Sequence, residues 1–134
     1  MRLTSLVLAV TVGIALLLSS LGIVKAAEAK QKKTKLRHVV AFKFKETATK
    51  LQIQKVEEAF AQLPKKITTI KKFEWGLNNS PEQRNKGCTH AFILTFKSEK
   101  DRDSYLVHPA HKEFGSLVGP LLDDVFVIDF WTKE

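Results

Sequence analysis

The sequence predicts an α+β domain of the ferredoxin-like kind, with the element order strand, helix, strand, strand, helix, strand. Three observations predict it. Residues 36–45 (LRHVVAFKFK) and 89–97 (THAFILTFK) place apolar side chains at every second position, the period of a strand. Between them Ile53, Val56, Phe60 and Leu63 recur at spacings of three and four, the stripe of a helix lying on a core. Residues 125–131 (VFVIDFW) are apolar at nearly every position and follow a second helical segment. That order is the split βαβ pattern, a four-stranded antiparallel sheet with helices on one face.

The elements follow in chain order. Met1 and Arg2 precede an apolar run over residues 6–18 (LVLAVTVGIALLL), then Ser19, Ser20 and the small residues Ala26, Ala27 and Ala29. This is the layout of a signal peptide over residues 1–29, cleaved after Ala26 or Ala29. It predicts a secreted or periplasmic protein, with membrane contact only if the segment stays uncleaved. Residues 30–35 form a basic linker carrying Lys30, Lys32, Lys33 and Lys35, and the domain occupies residues 36–134. In the first strand Leu36, His38, Val40, Phe42 and Phe44 share the more apolar face. Thr49 and Gln52 fit a capping box at the start of the first helix, and Pro64 is expected to end it. The β-branched and aromatic content of residues 67–77 predicts a second strand, and the polar residues 78–87 a loop. His90, Phe92, Leu94 and Phe96 share the apolar face of the third strand. Ser98 caps a short helix leading to Tyr105, and Pro109 opens the next, whose apolar side is Phe114, Leu117 and Val118.

Charge and cysteine content narrow the function. The net charge of +8 is concentrated in part in the basic linker, which reads as a solvated segment, so no nucleic-acid partner is expected. The single cysteine, Cys88, allows no disulfide within the chain, so packing must hold the domain. The third and fourth strands are apolar on both faces. One face packs under helices, and the economical cover for the other is a second copy of the chain, which predicts a homodimer.

The candidate chemistry gathers around residues 105–111 (YLVHPAH), a phenol and two imidazoles about a helix break. Histidine titrates near neutrality and can take a proton from a carbon acid or hydroxyl. A phenol can hold a developing enolate oxygen by a hydrogen bond. Tyr105 and His111 are therefore the candidate catalytic pair, whereas His108 reads as a stitch for backbone groups freed by Pro109. His38 and His90 stand on the helix-covered face of two strands and are expected to face the same space. The competing reading makes them core histidines bonded to backbone or to each other. A metal site built from His108, His111 and a strand histidine is disfavoured because Pro109 interrupts the helix between them, and HEXXH, CxxC, P-loop, GxGxxG and GxSxG motifs are absent. No metal or cofactor is predicted.

Several of these residues carry a family resemblance: His38-Val39-Val40 with Phe42-Lys43-Phe44, the pair Trp75-Gly76, Thr89-His90, Tyr105 with His108-Pro109-Ala110-His111, and Asp129-Phe130. Over residues 36–131 the chain resembles the stress-responsive dimeric α/β-barrel domain family, Dabb. The resemblance implies a ferredoxin-like subunit pairing into a barrel. In a polyketide-cyclase branch of that family a tyrosine and the final histidine of this motif carry an aldol cyclisation, which implies roles for Tyr105 and His111, with His38 and His90 lining the pocket. Phe60 and Phe92 imply a tighter, less polar cavity than in that branch, and Phe114 completes its wall. The expected function is a small hydrophobic or carbonyl ligand held between sheet and helices, with acid–base (lyase- or cyclase-like) chemistry by Tyr105 and His111. The alternative is a non-catalytic stress or scaffold protein whose histidines only satisfy the fold.

Overall fold

The computed structural model describes residues 34–133, so the expected signal peptide and most of the basic linker lie outside the described residues. Its elements are β1 (Leu36–Phe44), α1 (Lys50–Lys66), β2 (Lys72–Leu77), β3 (His90–Phe96), α2 (Glu99–Val107), α3 (Pro109–Val118), a 3₁₀ turn (Gly119–Leu121) and β4 (Leu122–Trp131). The strands form one antiparallel sheet in the order β2-β3-β1-β4. This is the predicted ferredoxin-like architecture. Among the described residues no helix is long and apolar enough to cross a membrane.

Register fixes the faces, because residues directly opposite in antiparallel strands project to the same side. Val40 lies opposite Phe92 and Val127, and Phe42 opposite His90 and Val125. Val40, Phe42, Phe92, Leu94 and Phe96 are buried under the helices together with Val56, Phe60 and Leu63 of α1 and Phe114 and Val118 of α3. Five phenylalanines form the centre of this core. Phe60 lies 4.5 Å from Phe92 and 4.4 Å from Phe114 between ring centroids, with Phe42 and Phe73 packed around them. The opposite face carries Val39, Ala41 and Ile93 beside Phe126, Ile128 and Phe130, the last three each roughly half exposed.

The local signals act largely as the sequence implies. Thr49 Oγ1 accepts from the Gln52 amide while Gln52 Oε1 accepts from the Thr49 amide at 2.8 Å, closing the capping box. Ser98 Oγ accepts from the Asp101 amide at 3.1 Å and starts α2.

Three boundaries differ. Pro64 does not end α1, which runs on to Lys66. A proline there removes one ladder bond, and burial of Leu63 and Ile67 on either side holds the last turn in place. The second strand begins at Lys72, since residues 67–70 form a turn closed by the Ile70 amide on the Ile67 carbonyl. Ile67 and Ile70 are buried plugs of the core, so their β-branched shape serves packing rather than a strand. β4 begins at Leu122, three residues before the apolar run, because Phe44 pairs with Leu122 across an irregularity at Lys43 and Phe44.

Candidate active site

The helix break is built by His108. It ends α2 and begins α3, and its extended backbone (φ −64°, ψ 136°) satisfies the restriction that a following proline imposes. Its Nδ1 accepts from the Ala110 amide at 3.1 Å, one of the donors left free at a helix start. With Nδ1 as acceptor, the neutral ring carries its proton on Nε2. His108 is thus a cap, and its placement lets α2 and α3 meet at an angle that brings Tyr105 and His111 together.

Their rings lie 4.3 Å apart between centroids, tilted by 45°. Tyr105 is almost fully buried, packed also on Phe96 at 5.4 Å and edge-on to His38 at 5.7 Å. Burial pushes its phenol above the ordinary tyrosine value, with no charge or hydrogen bond among the described residues drawing it back. The group is therefore a neutral O–H donor across the neutral pH range.

His111 is half-buried, and its Nδ1–H donates to the Leu106 carbonyl at 3.1 Å. That bond leaves Nε2 as the unprotonated ring nitrogen. Desolvation lowers its pKa below the ordinary imidazole value, opposed by the Leu106 bond and reinforced by His38 and His108 nearby. A neutral imidazole with a free nitrogen beside a neutral phenol is a base beside a hydrogen-bond donor.

His38, from β1, is buried, meets the Tyr105 ring edge-on, and lies near enough to His111 to act on it electrostatically. Its Nδ1 bonds Asp129 Oδ1 at 2.6 Å, across the β1–β4 pair in which the two residues stand opposite each other. Arg102, one turn before Tyr105 on α2, binds the other oxygen of Asp129 and reaches Asp103 through Nε at 2.7 Å. The Asp129 and Asp103 carboxylates hold the Arg102 guanidinium above its ordinary value.

His90 stands apart. It lies on the same sheet face, but His38 is opposite Leu94 while His90 is opposite Phe42. Four residues of strand separate the two, about 13 Å at the rise of an extended chain. Its Nε2 pairs with Glu57 Oε1 at 2.9 Å and its Nδ1 with the Thr89 hydroxyl at 2.8 Å. Trp75 stacks beside its ring and Phe44 meets it edge-on. The structure therefore brings Tyr105, His111 and His38 together and leaves His90 at the other end. Phe60, Phe92 and Phe114 lie between the ends as mutually packed core rings.

Asp129 and Arg102 escaped the sequence reading as site residues. Besides its place in the family resemblance, Asp129 carries one physical signal, an acid inside the apolar run VFVIDFW, since a carboxylate in such a strand needs a partner. Arg102 gave none, because α2 reads as a polar surface helix.

The described residues thus form a small α+β domain whose antiparallel sheet carries helices on one face, with a histidine–tyrosine cluster under a helix break. The chain belongs to the stress-responsive A/B barrel domain family, Dabb, whose model matches residues 36–132. It is 36% identical to a stress-response A/B barrel domain-containing protein of Arabidopsis thaliana over 71% of this chain and 87% of that protein. It is 26% identical to the olivetolic acid cyclase of Cannabis sativa over 74% of this chain and 98% of that enzyme. Among solved structures it is similar to a hydroxynitrile lyase from Passiflora edulis (TM-score 0.72, 26% identity, 77% of this chain and 97% of that one). It is also similar to a protein of Bacteroides fragilis described as dimeric with a ferredoxin-like fold (TM-score 0.61, 25% identity, 73% of this chain and 96% of that one).

Proposed function

We propose that this chain is an exported, homodimeric Dabb protein that binds a small hydrophobic or carbonyl compound between sheet and helices, and that Tyr105 and His111 act on it as acid and base. The observation that carries the reading is the contact of the two rings with the His111 Nδ1–H tied to Leu106, which reserves Nε2 for a proton taken from the ligand. Tyr105, kept protonated by burial, supplies the donor for the oxygen on which negative charge develops. A cyclase and a lyase built on the same domain agree with a site whose common element is proton transfer rather than one substrate.

The test needs no knowledge of the natural substrate. A small 1,3-dicarbonyl compound in deuterated buffer reports proton abstraction from carbon by NMR. The protein is expected to accelerate the exchange, and His111→Ala to reduce it by about 10²-fold or more, the scale of general acid–base catalysis. Tyr105→Phe is expected to lower it in a folded protein. Exchange that is equally fast in all three refutes the catalytic reading.

Pairing is supported by the apolar sheet face on which Phe126, Ile128 and Phe130 stand roughly half exposed beside Val39, the kind of contiguous patch that marks an interaction surface. Ile128→Glu is expected to convert a dimer to a monomer in sedimentation analysis. Export rests on residues 1–29 of the sequence, and mass spectrometry of the native amino terminus tests it.

A second reading has an observation in its favour. His38, His90 and His108 all bond partners within the chain, as structural histidines do. In that reading the domain is a non-catalytic stress or scaffold protein, and no accelerated exchange is found with any variant.

A further inference from the structure

Arg102 lies outside the acid–base pair, yet it touches the group that fixes the third member of the cluster. Three elements converge on that point: His38 from β1, Asp129 from β4 and Arg102 from α2. Asp129 is an ionisable side chain in a strand of apolar neighbours, and its two oxygens are divided between His38 and Arg102. We infer that Arg102 is a positioning residue: by holding and neutralising Asp129 it keeps the His38 proton on Nδ1 and leaves Nε2 free on the side of Tyr105 and His111.

The physical argument has two parts. A carboxylate bonded to a histidine fixes its tautomer, as in the acid–histidine pairs of nucleophilic sites. Left uncompensated, the same carboxylate also draws a second proton onto the ring, because imidazolium beside carboxylate is favourable at low dielectric. A guanidinium on the second oxygen keeps the orientation and offsets that pull. The charged and titratable groups around His38 are then Asp129 from β4, Arg102 and the Tyr105 phenol from α2, and the His111 imidazole from α3, with Asp103 on the outer side of Arg102. Arg102 and Tyr105 are three residues apart on α2, so they project from one face of the helix. The grip on Asp129 therefore also anchors the turn that carries Tyr105 against the sheet.

This inference deepens the acid–base reading and rests on it only for its consequence, since its direct readout is the state of His38 without any ligand. ¹⁵N NMR of the imidazoles in the whole protein gives tautomer and titration midpoint together. In the wild type the neutral His38 ring is expected as the Nδ1–H tautomer, its Nδ1–H donating to Asp129. Arg102→Gln is expected to raise the His38 midpoint by about one pH unit, the scale for removal of one neighbouring charge. Arg102→Lys, which restores the charge without the planar fork, recovers most of that shift. Asp129→Asn lowers the midpoint, and adding Arg102→Gln to it has little further effect, because the arginine acts through the carboxylate. Should Arg102→Gln unfold the domain, Arg102→Met, which keeps the aliphatic stem without the charge, takes its place alone and in combination with Asp129→Asn. An unchanged His38 midpoint in folded Arg102→Gln, or an equal shift with and without Asp129, overturns the inference. If the NMR shifts occur while no variant alters dicarbonyl exchange, the positioning role stands and the catalytic reading falls.

Discussion

His38 and His90 occupy the same face of the same sheet, are equally buried, and end in different chemistry. His90 lies where helix α1 runs unbroken. Glu57 descends from that helix, Thr89 closes the other nitrogen, and Trp75 and Phe44 enclose the ring. His38 lies where the covering helix is broken at His108 and Pro109, and there a phenol and a second imidazole enter from above. His38 keeps one nitrogen for Asp129, while His111 uses Nδ1 on a carbonyl and stays half-buried. A continuous helix produces a satisfied core histidine, and an interrupted one produces a group with unspent bonding capacity. The candidate site follows from the break rather than from the histidines.

The contrast is sharpened first by the largest perturbation. Phe60→Ala, in the ring cluster between the two ends, is expected to destabilise the domain by about 3–5 kcal/mol. Urea denaturation measures it, and the exchange rate per folded molecule should stay near that of the wild type. A loss of exchange beyond the loss of folded protein would make Phe60 part of the site. Next comes Glu57→Ala, which leaves the His90 Nε2 unpartnered in a buried position and should cost about 1–3 kcal/mol. Its exchange activity is expected to remain. A drop comparable to that of His111→Ala would erase the distinction between the two ends.

The smallest effect is in pH. His111 has a folded pKa below its ordinary value of 6.5, so the unfolded chain binds the proton more readily. The stability linked to this group is present above about pH 6.5 and is lost as pH falls from there through the folded value. Tyr105, with its folded pKa above the ordinary value of 10.0, contributes stability that is present below that pH and declines as pH rises beyond it. Urea midpoints from pH 5 to 7 should therefore fall with acid in the wild type and less steeply in His111→Phe. An identical slope in both would show that the acid limb belongs to other groups.

Much of the fold was legible because its signals are local. The period of two in β1 and β3, the stripe through Phe60, and the caps at Thr49 and Ser98 each depend on residues within a few positions of one another. The same holds for the break at His108 and Pro109, since a proline dictates the conformation before it wherever it falls. Where local preference meets a packing demand, packing wins. Ile67 and Ile70 favour strands by shape and became core plugs in a turn, and Pro64 stayed within a helix held by its buried neighbours.

The sequence by itself determined the ferredoxin-like order, the covered face, and the juxtaposition of Tyr105 with His111, whose separation of six residues around a proline leaves little freedom. Only the tertiary structure decided that His38 belongs with them and His90 does not, and that Asp129 and Arg102 complete the group. Those relations depend on strand register and helix placement, which bring together residues as far apart in the chain as His38 and Asp129. No short-range pattern encodes such a meeting. It arises because the buried faces must interlock, and the polar groups caught among them must then find partners.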